Sequence, residues 1–140
     1  VRWFMTSTPN QIASQVKLAP TGVDEQAGIL LTNDQGEMAT LTLSLHAKQP
    51  KRGTIAYDKG YIELYEYPRG QKAVITYTED GHQEVIEAGS TALALSYEVA
   101  DMEKAVSGQE NVMHLDYTKD VMDIMTKLRQ DWNLTYPEEE

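Results

Sequence analysis

Residues 23–46, VDEQAGILLTNDQGEMATLTLSLH, constrain the fold more than any other stretch of the chain. From Glu37 to His46 the residues alternate, with Ala39, Leu41, Leu43 and Leu45 on one side and Met38, Thr40, Thr42, Ser44 and His46 on the other. A period of two belongs to a strand, because successive side chains of an extended backbone point to opposite faces of a sheet. Ala27 to Thr32 is nearly continuous in apolar residues, which predicts a central strand covered on both faces. Between the two, Asn33-Asp34-Gln35-Gly36 supplies a reversal: Asx residues favour turns, and Gly36 can take the positive φ that closes a hairpin.

The same rhythm extends in both directions. Ile12 to Ala19 alternates Ile12, Ser14, Val16 and Leu18 against Ala13, Gln15, Lys17 and Ala19, and Pro20-Thr21-Gly22 ends it. Beyond His46, strands are predicted at Gly53–Tyr57, Tyr61–Tyr67, Lys72–Thr78 and Gln83–Ala88. They are separated by turns at Asp58-Lys59-Gly60, where a positive φ is expected at the glycine, Pro68-Arg69-Gly70 and Glu79-Asp80-Gly81. About seven strands joined by short turns imply mostly antiparallel neighbours in one open sheet.

At Gly89 the period changes. Leu95, Val99, Met102 and Val106 recur at helical spacing, and Ser107-Gly108 is a natural stop. Tyr117, Val121, Ile124, Leu128 and Trp132 form a second stripe widened by Met125, with Thr118 as the predicted N-cap. Asn133 is placed to cap its C-terminus, with Leu134 folding back. Met102, Met122 and Met125 read as core filler. Two amphipathic helices and a sheet with one apolar face predict an α+β two-layer sandwich, the helices packed on one side of a largely antiparallel sheet.

The opposite face, with Thr40, Thr42 and Ser44, has nothing in this chain to cover it. Two readings fit: it faces water, as antiparallel sheets often do, or it packs on the same face of a second copy. Tyr61, Tyr65 and Tyr67 on one strand face suit an interface, since tyrosine buries area while keeping a polar tip.

At 140 residues the chain is expected to form one domain, residues 1–140, with a core of its own. The formal charge of −10 argues against nucleic acid as a partner, and the terminal Glu138-Glu139-Glu140 reads as a solvated tail. The basic cluster Lys48, Lys51 and Arg52 falls in a loop. No apolar run approaches the ~20 residues of a spanning helix, so no membrane association is expected, and the absence of cysteine fits a cytoplasmic setting. Val1-Arg2-Trp3-Phe4-Met5 begins without an initiator methionine and resembles the last turn of a helix, as in a domain excised from a longer protein.

No catalytic constellation is legible. There is no glycine-rich nucleotide loop, no thiol, and no pair of histidines at ligand spacing among His46, His82 and His114. Carboxylates are too abundant for any pair to stand out, and Asp24 and Glu25 read as holding a strand end. Accordingly no catalytic, cofactor-binding or metal-ligating residue is assigned.

Several short motifs, in order, carry a resemblance. They are Thr21-Gly22-Val23-Asp24-Glu25, Gly36-Glu37-Met38-Ala39, Gly60-Tyr61-Ile62, Ser96-Tyr97-Glu98 with Met102 and Gly108, then Met122, Leu128-Arg129, Trp132 and Tyr136-Pro137-Glu138. Together they resemble the C-terminal domain of the glucose–fructose oxidoreductase / inositol dehydrogenase / rhizopine-catabolism (Gfo/Idh/MocA) family of NAD(P)-dependent oxidoreductases, in its dihydrodiol dehydrogenase-like branch. The resemblance implies an N-terminal Rossmann domain upstream of Val1 that binds NAD or NADP and carries the catalytic residues. It implies hydride transfer at a hydroxyl-bearing carbon of a sugar, polyol or dihydrodiol. This domain would form one wall of the substrate cleft and, through its open sheet face, a homodimer, with Thr40, Thr42 and Ser44 at the interface. The fragment alone would bind no cofactor and be inactive. The alternative is a stand-alone module that dimerises through its sheet or binds a ligand.

Overall fold

The computed structural model describes residues 1–67 and 69–136, and its placed residues fall into two compact units. The Pro68 position of the predicted turn, the Pro137-Glu138 end of the last motif and the acidic tail lie outside the described residues. The class is α+β; the described residues form seven strands, all antiparallel to their neighbours, and two α-helices.

The first unit comprises residues 1–49 and the described residues from 114 onward. Strands β1 (Gln11–Leu18), β2 (Asp24–Thr32) and β3 (Met38–Ser44) make a three-stranded sheet with β2 in the middle. The β2–β3 register runs without a break from Gln26 opposite Ser44 to Thr32 opposite Met38. The β1–β2 register shifts once, between Lys17 and Leu18. As the sequence predicts, Gly36 takes a φ of 77° in the hairpin turn, where its N–H donates to the Asn33 carbonyl at 3.0 Å.

The period of two delivers Ala27, Ile29 and Leu31 to one face of β2, and the helix over residues Leu115–Asp131 (α2 below) brings Leu128 onto them. Ile12, Ala39, Leu41, Ile124 and Trp132 close the cluster, and the Trp132 indole N–H donates to Ser14 Oγ at 2.9 Å across the layers. Burying such side chains is worth about 1.5–3 kcal/mol each, which makes this contact the main cohesion of the unit. Helix α2 starts three residues before the expected Thr118 cap: His114 occupies the N-cap without a side-chain bond, and Thr118 Oγ donates back to the His114 carbonyl. Its other end follows expectation. Asn133 has a φ of 52°, the Leu134 N–H reaches the Arg129 carbonyl at 2.9 Å, and Leu134 is buried.

The second unit, residues 50–113, holds β4 (Arg52–Tyr57), β5 (Gly60–Tyr65), β6 (Lys72–Tyr77) and β7 (Gln83–Glu87) as a four-stranded meander in chain order, followed by α1 (Ala94–Val106). Its β6–β7 turn contains a left-handed glycine, Gly81, whereas Gly60, where a positive φ is expected, does not take one. A Cβ at Gly60 would instead lie 2.2 Å from the Thr76 carbonyl oxygen, so close strand packing is what requires glycine there.

The structure departs from the expected layout in four respects. The strands form two sheets, of three and four, because β3 and β4 are not paired; the connector between them contains Pro50 and no two-residue hairpin turn. Within the first unit, among the described residues, one face of β2 is covered and Gly28 is exposed on the other. Helix α1 forms and stops at Gly108 (φ 71°), yet it buries no residue, and its stripe of Leu95, Val99, Met102 and Val106 is exposed, Val106 to 82%. Met102, Met122 and Met125 are likewise about half exposed or more and fill no core. Helical spacing of apolar residues specifies a helix, but it does not specify what lies against it.

Candidate interaction face

The face of the three-stranded sheet opposite α2 is assembled row by row from the register. Its outward positions are Gln11, Thr32 and Met38 in one row, Ala13, Leu30 and Thr40 in the next, and Gln15, Gly28 and Thr42 in the third. A fourth row holds Lys17, Gln26 and Ser44. The sequence-predicted interface residues therefore share one face: Thr40 and Thr42 are exposed, and Ser44 is half-buried, its Oγ accepting the Ala47 N–H at 3.0 Å. Tyr61 and Tyr65 belong to the four-stranded sheet of the other unit, and Tyr67 lies beyond the end of β5, so the structure does not bring the tyrosines onto the sheet of Thr42. Gly28, Gln15 and Gln26 are among the outward positions that inspection of β3 alone passes over. The alternation of β1 and the central place of β2 are the signals that find them.

The electrostatics of this face are unusual for the chain. Three consecutive rows carry no charged residue, in a molecule with a formal charge of −10. The fourth row holds one cation, Lys17, whose ammonium is 2.7 Å from Glu25 Oε1. The hydrogen bond from Lys17 holds the Glu25 carboxyl below its usual range, against partial desolvation.

One end of the sheet is locked by a polar network. Asn33, 2% exposed, accepts the N–H groups of Gln35 and Glu37 on Oδ1 at 3.1 and 3.0 Å. Its Nδ2 donates to Glu37 Oε2 at 2.6 Å and to the Ser7 carbonyl at 3.3 Å. Glu37 also accepts the Thr6 N–H at 2.9 Å, and this bond leads the causes that lower its pKa. Asp120 on α2 accepts from Arg2 at 2.7 Å and from Thr8 at 2.8 Å, and the Arg2 bond is the first cause of its own lowered pKa. Arg2 lies over the Tyr117 ring, which stacks on His114, while Trp3 meets His114 edge-on. Two carboxylates thus hold the segment 2–8 against the hairpin turn and the helix.

The other displaced titratable groups also answer to local partners. Tyr65 is raised by its hydrogen bond to Glu63, and Lys119 by its bond to Asp123 one helical turn away. The histidines sit on different elements: His46 follows β3, His82 stacks on Tyr77 in the second unit, and His114 begins α2. Among the described residues no group of three His, Cys, Asp or Glu could hold a metal ion, and no helix is long and apolar enough to cross a membrane. Lys48, Lys51 and Arg52 are exposed, Arg52 lying 3.6 Å from Glu63. No protein-family model and no curated protein sequence matches the chain.

Proposed function

We propose that this chain is the C-terminal, substrate-side and oligomerisation domain of an NAD(P)-dependent oxidoreductase acting on a sugar, polyol or dihydrodiol-like hydroxyl compound. The short motifs set out above support the family, and the α+β architecture is of the kind that the resemblance implies. The observation that carries the reading is the uncharged open face built around Thr40 and Thr42, backed by α2 on the other side of the same sheet.

The resemblance places the nicotinamide cofactor outside this domain. Neither α1 nor α2 follows a strand through a glycine-rich turn of the kind that cradles a pyrophosphate. On the resemblance, the cofactor and the hydride chemistry belong to a preceding Rossmann domain, and no catalytic step is derived for this chain.

The test is the mass of the chain by light scattering at tens of micromolar, for the native sequence and for Thr42→Lys, with a parallel NADH fluorescence titration. The expected result is a native dimer that Thr42→Lys converts to folded monomers, and no NADH binding by either. A native monomer, or a dimer indifferent to the lysine, removes the interface; saturable NADH binding removes the assignment of the cofactor to another domain.

A further inference from the structure

Residues 2–8 are fastened to the first unit chiefly through two oxygen atoms. Glu37 Oε2 accepts the Thr6 N–H at 2.9 Å, the Thr6 hydroxyl at 3.0 Å and Asn33 Nδ2 at 2.6 Å. Asp120 Oδ2 accepts Arg2 Nε at 2.7 Å and the Thr8 hydroxyl at 2.8 Å. Among the described residues, the one further hydrogen bond to this segment from outside it runs from Asn33 Nδ2 to the Ser7 carbonyl and is long, 3.3 Å. The segment also has a definite hinge. Pro9 is buried, and from Asn10, whose N–H donates to the Thr32 carbonyl at 3.1 Å, the chain belongs to the sheet.

Closure of the segment is a balance. The Ser7 hydroxyl oxygen is buried without a hydrogen-bond partner, and an unpaired buried polar group favours any state that returns it to water. On the other side stand buried Met5 and the four bonds from Arg2, Thr6 and Thr8. Protonation weakens all four, because the carboxyl loses the charge that strengthens them and one of its oxygens turns into a donor. The charged and titratable neighbours do not replace that hold. On α2, Lys119 is bonded to Asp123, Asp116 lies one turn before Asp120, and His114 is engaged in the ring stack with Tyr117. In the hairpin turn Asp34 is bonded to Asn10, which leaves Arg2 as the cation that acts on both carboxylates. We infer that residues 2–8 are an acid-released strap: protonation of Glu37 and Asp120 lets the segment swing out about Pro9 and uncover Asn33 and Tyr117, while the three-stranded sheet and α2 stay folded. The strap opens before the unit unfolds because both lose the same two carboxylates, and the unit keeps the Ala27, Ile29, Leu31 and Leu128 cluster that the strap does not touch.

The test is an NMR titration of the 140-residue chain from about pH 7 to about pH 3, across the carboxylate range. The Thr6 amide and the Met5 methyl report the strap; the Leu31 amide and the Leu128 methyls report the core. In the native chain the strap signals should reach unfolded positions at least about half a pH unit above the core signals. Glu37→Gln combined with Asp120→Asn should open the strap at neutral pH with the core signals native. Arg2→Gln, which keeps both carboxylates and touches no core residue, should release the strap at higher pH than the native chain, and it decides the matter if the double variant does not fold. Strap and core signals that move together in the native chain overturn the inference. So does a strap that stays closed in the folded double variant, or a release pH that Arg2→Gln leaves unchanged.

Discussion

Asn33 closes the β2–β3 turn from the inside, with both ends of its amide engaged. Truncation to alanine would strand the partly buried N–H groups of Gln35 and Glu37 and free the Glu37 carboxylate from one of its donors. An unsatisfied buried polar group costs about 1–3 kcal/mol, so Asn33→Ala should destabilise by about 2–3 kcal/mol in urea denaturation. A change under 0.5 kcal/mol would show that the turn stands without the network. The residue identity is legible in the sequence, since Asx before a glycine turn is a known signal. Its burial is not legible, because that comes from the segment carrying Thr6 and Ser7 lying across it, 26 or more residues away in sequence.

At the scale of elements, the two helices look alike as sequences and differ as structures. Leu128 on α2 is 5% exposed within the sheet cluster, whereas Val106 on α1 is open to solvent. Leu128→Ala should cost about 2–4 kcal/mol, the lost transfer energy plus the cavity. Val106→Ser should change stability by less than about 0.5 kcal/mol. Thermal or urea unfolding of the pair checks both, and equal effects would mean that α1 is packed as firmly as α2. The strands show the same limit from the other side. Their order, turns and antiparallel sense follow from alternation and turn chemistry, because hairpin neighbours are set locally. Division into sheets of three and four depends on whether β3 and β4 meet edge to edge, which no alternation encodes.

For the molecule as a whole, the displaced carboxylates set the acid limit. Glu25, Glu37 and Asp120 are lowered in the folded state, so their stabilisation is fully present above the unfolded pKa values and lost as pH falls through the folded ones. Tyr65 and Lys119 are raised, so their contribution is present below their unfolded values and lost as pH rises through the folded ones. Stability should therefore be flat across neutral pH, fall below about pH 4 and fall again above about pH 10. Denaturation midpoints measured from pH 3 to 11 check this. The double variant Glu37→Gln, Asp120→Asn should have a shallower acid limb; an unchanged limb would assign acid unfolding to other groups.

The sequence by itself determined the class, the seven strands and two helices, the sense of each hairpin, and the side of β3 on which Thr40, Thr42 and Ser44 stand. These are consequences of period and turn geometry, which act over a few residues. Tertiary structure decided that Gly28 lies at the centre of an uncharged face and that Gly60 answers to a carbonyl rather than to φ. It also decided that two carboxylates grip the first residues and that α1 leaves its apolar stripe open. Each of these depends on which distant residues become neighbours, and a local pattern carries no record of that.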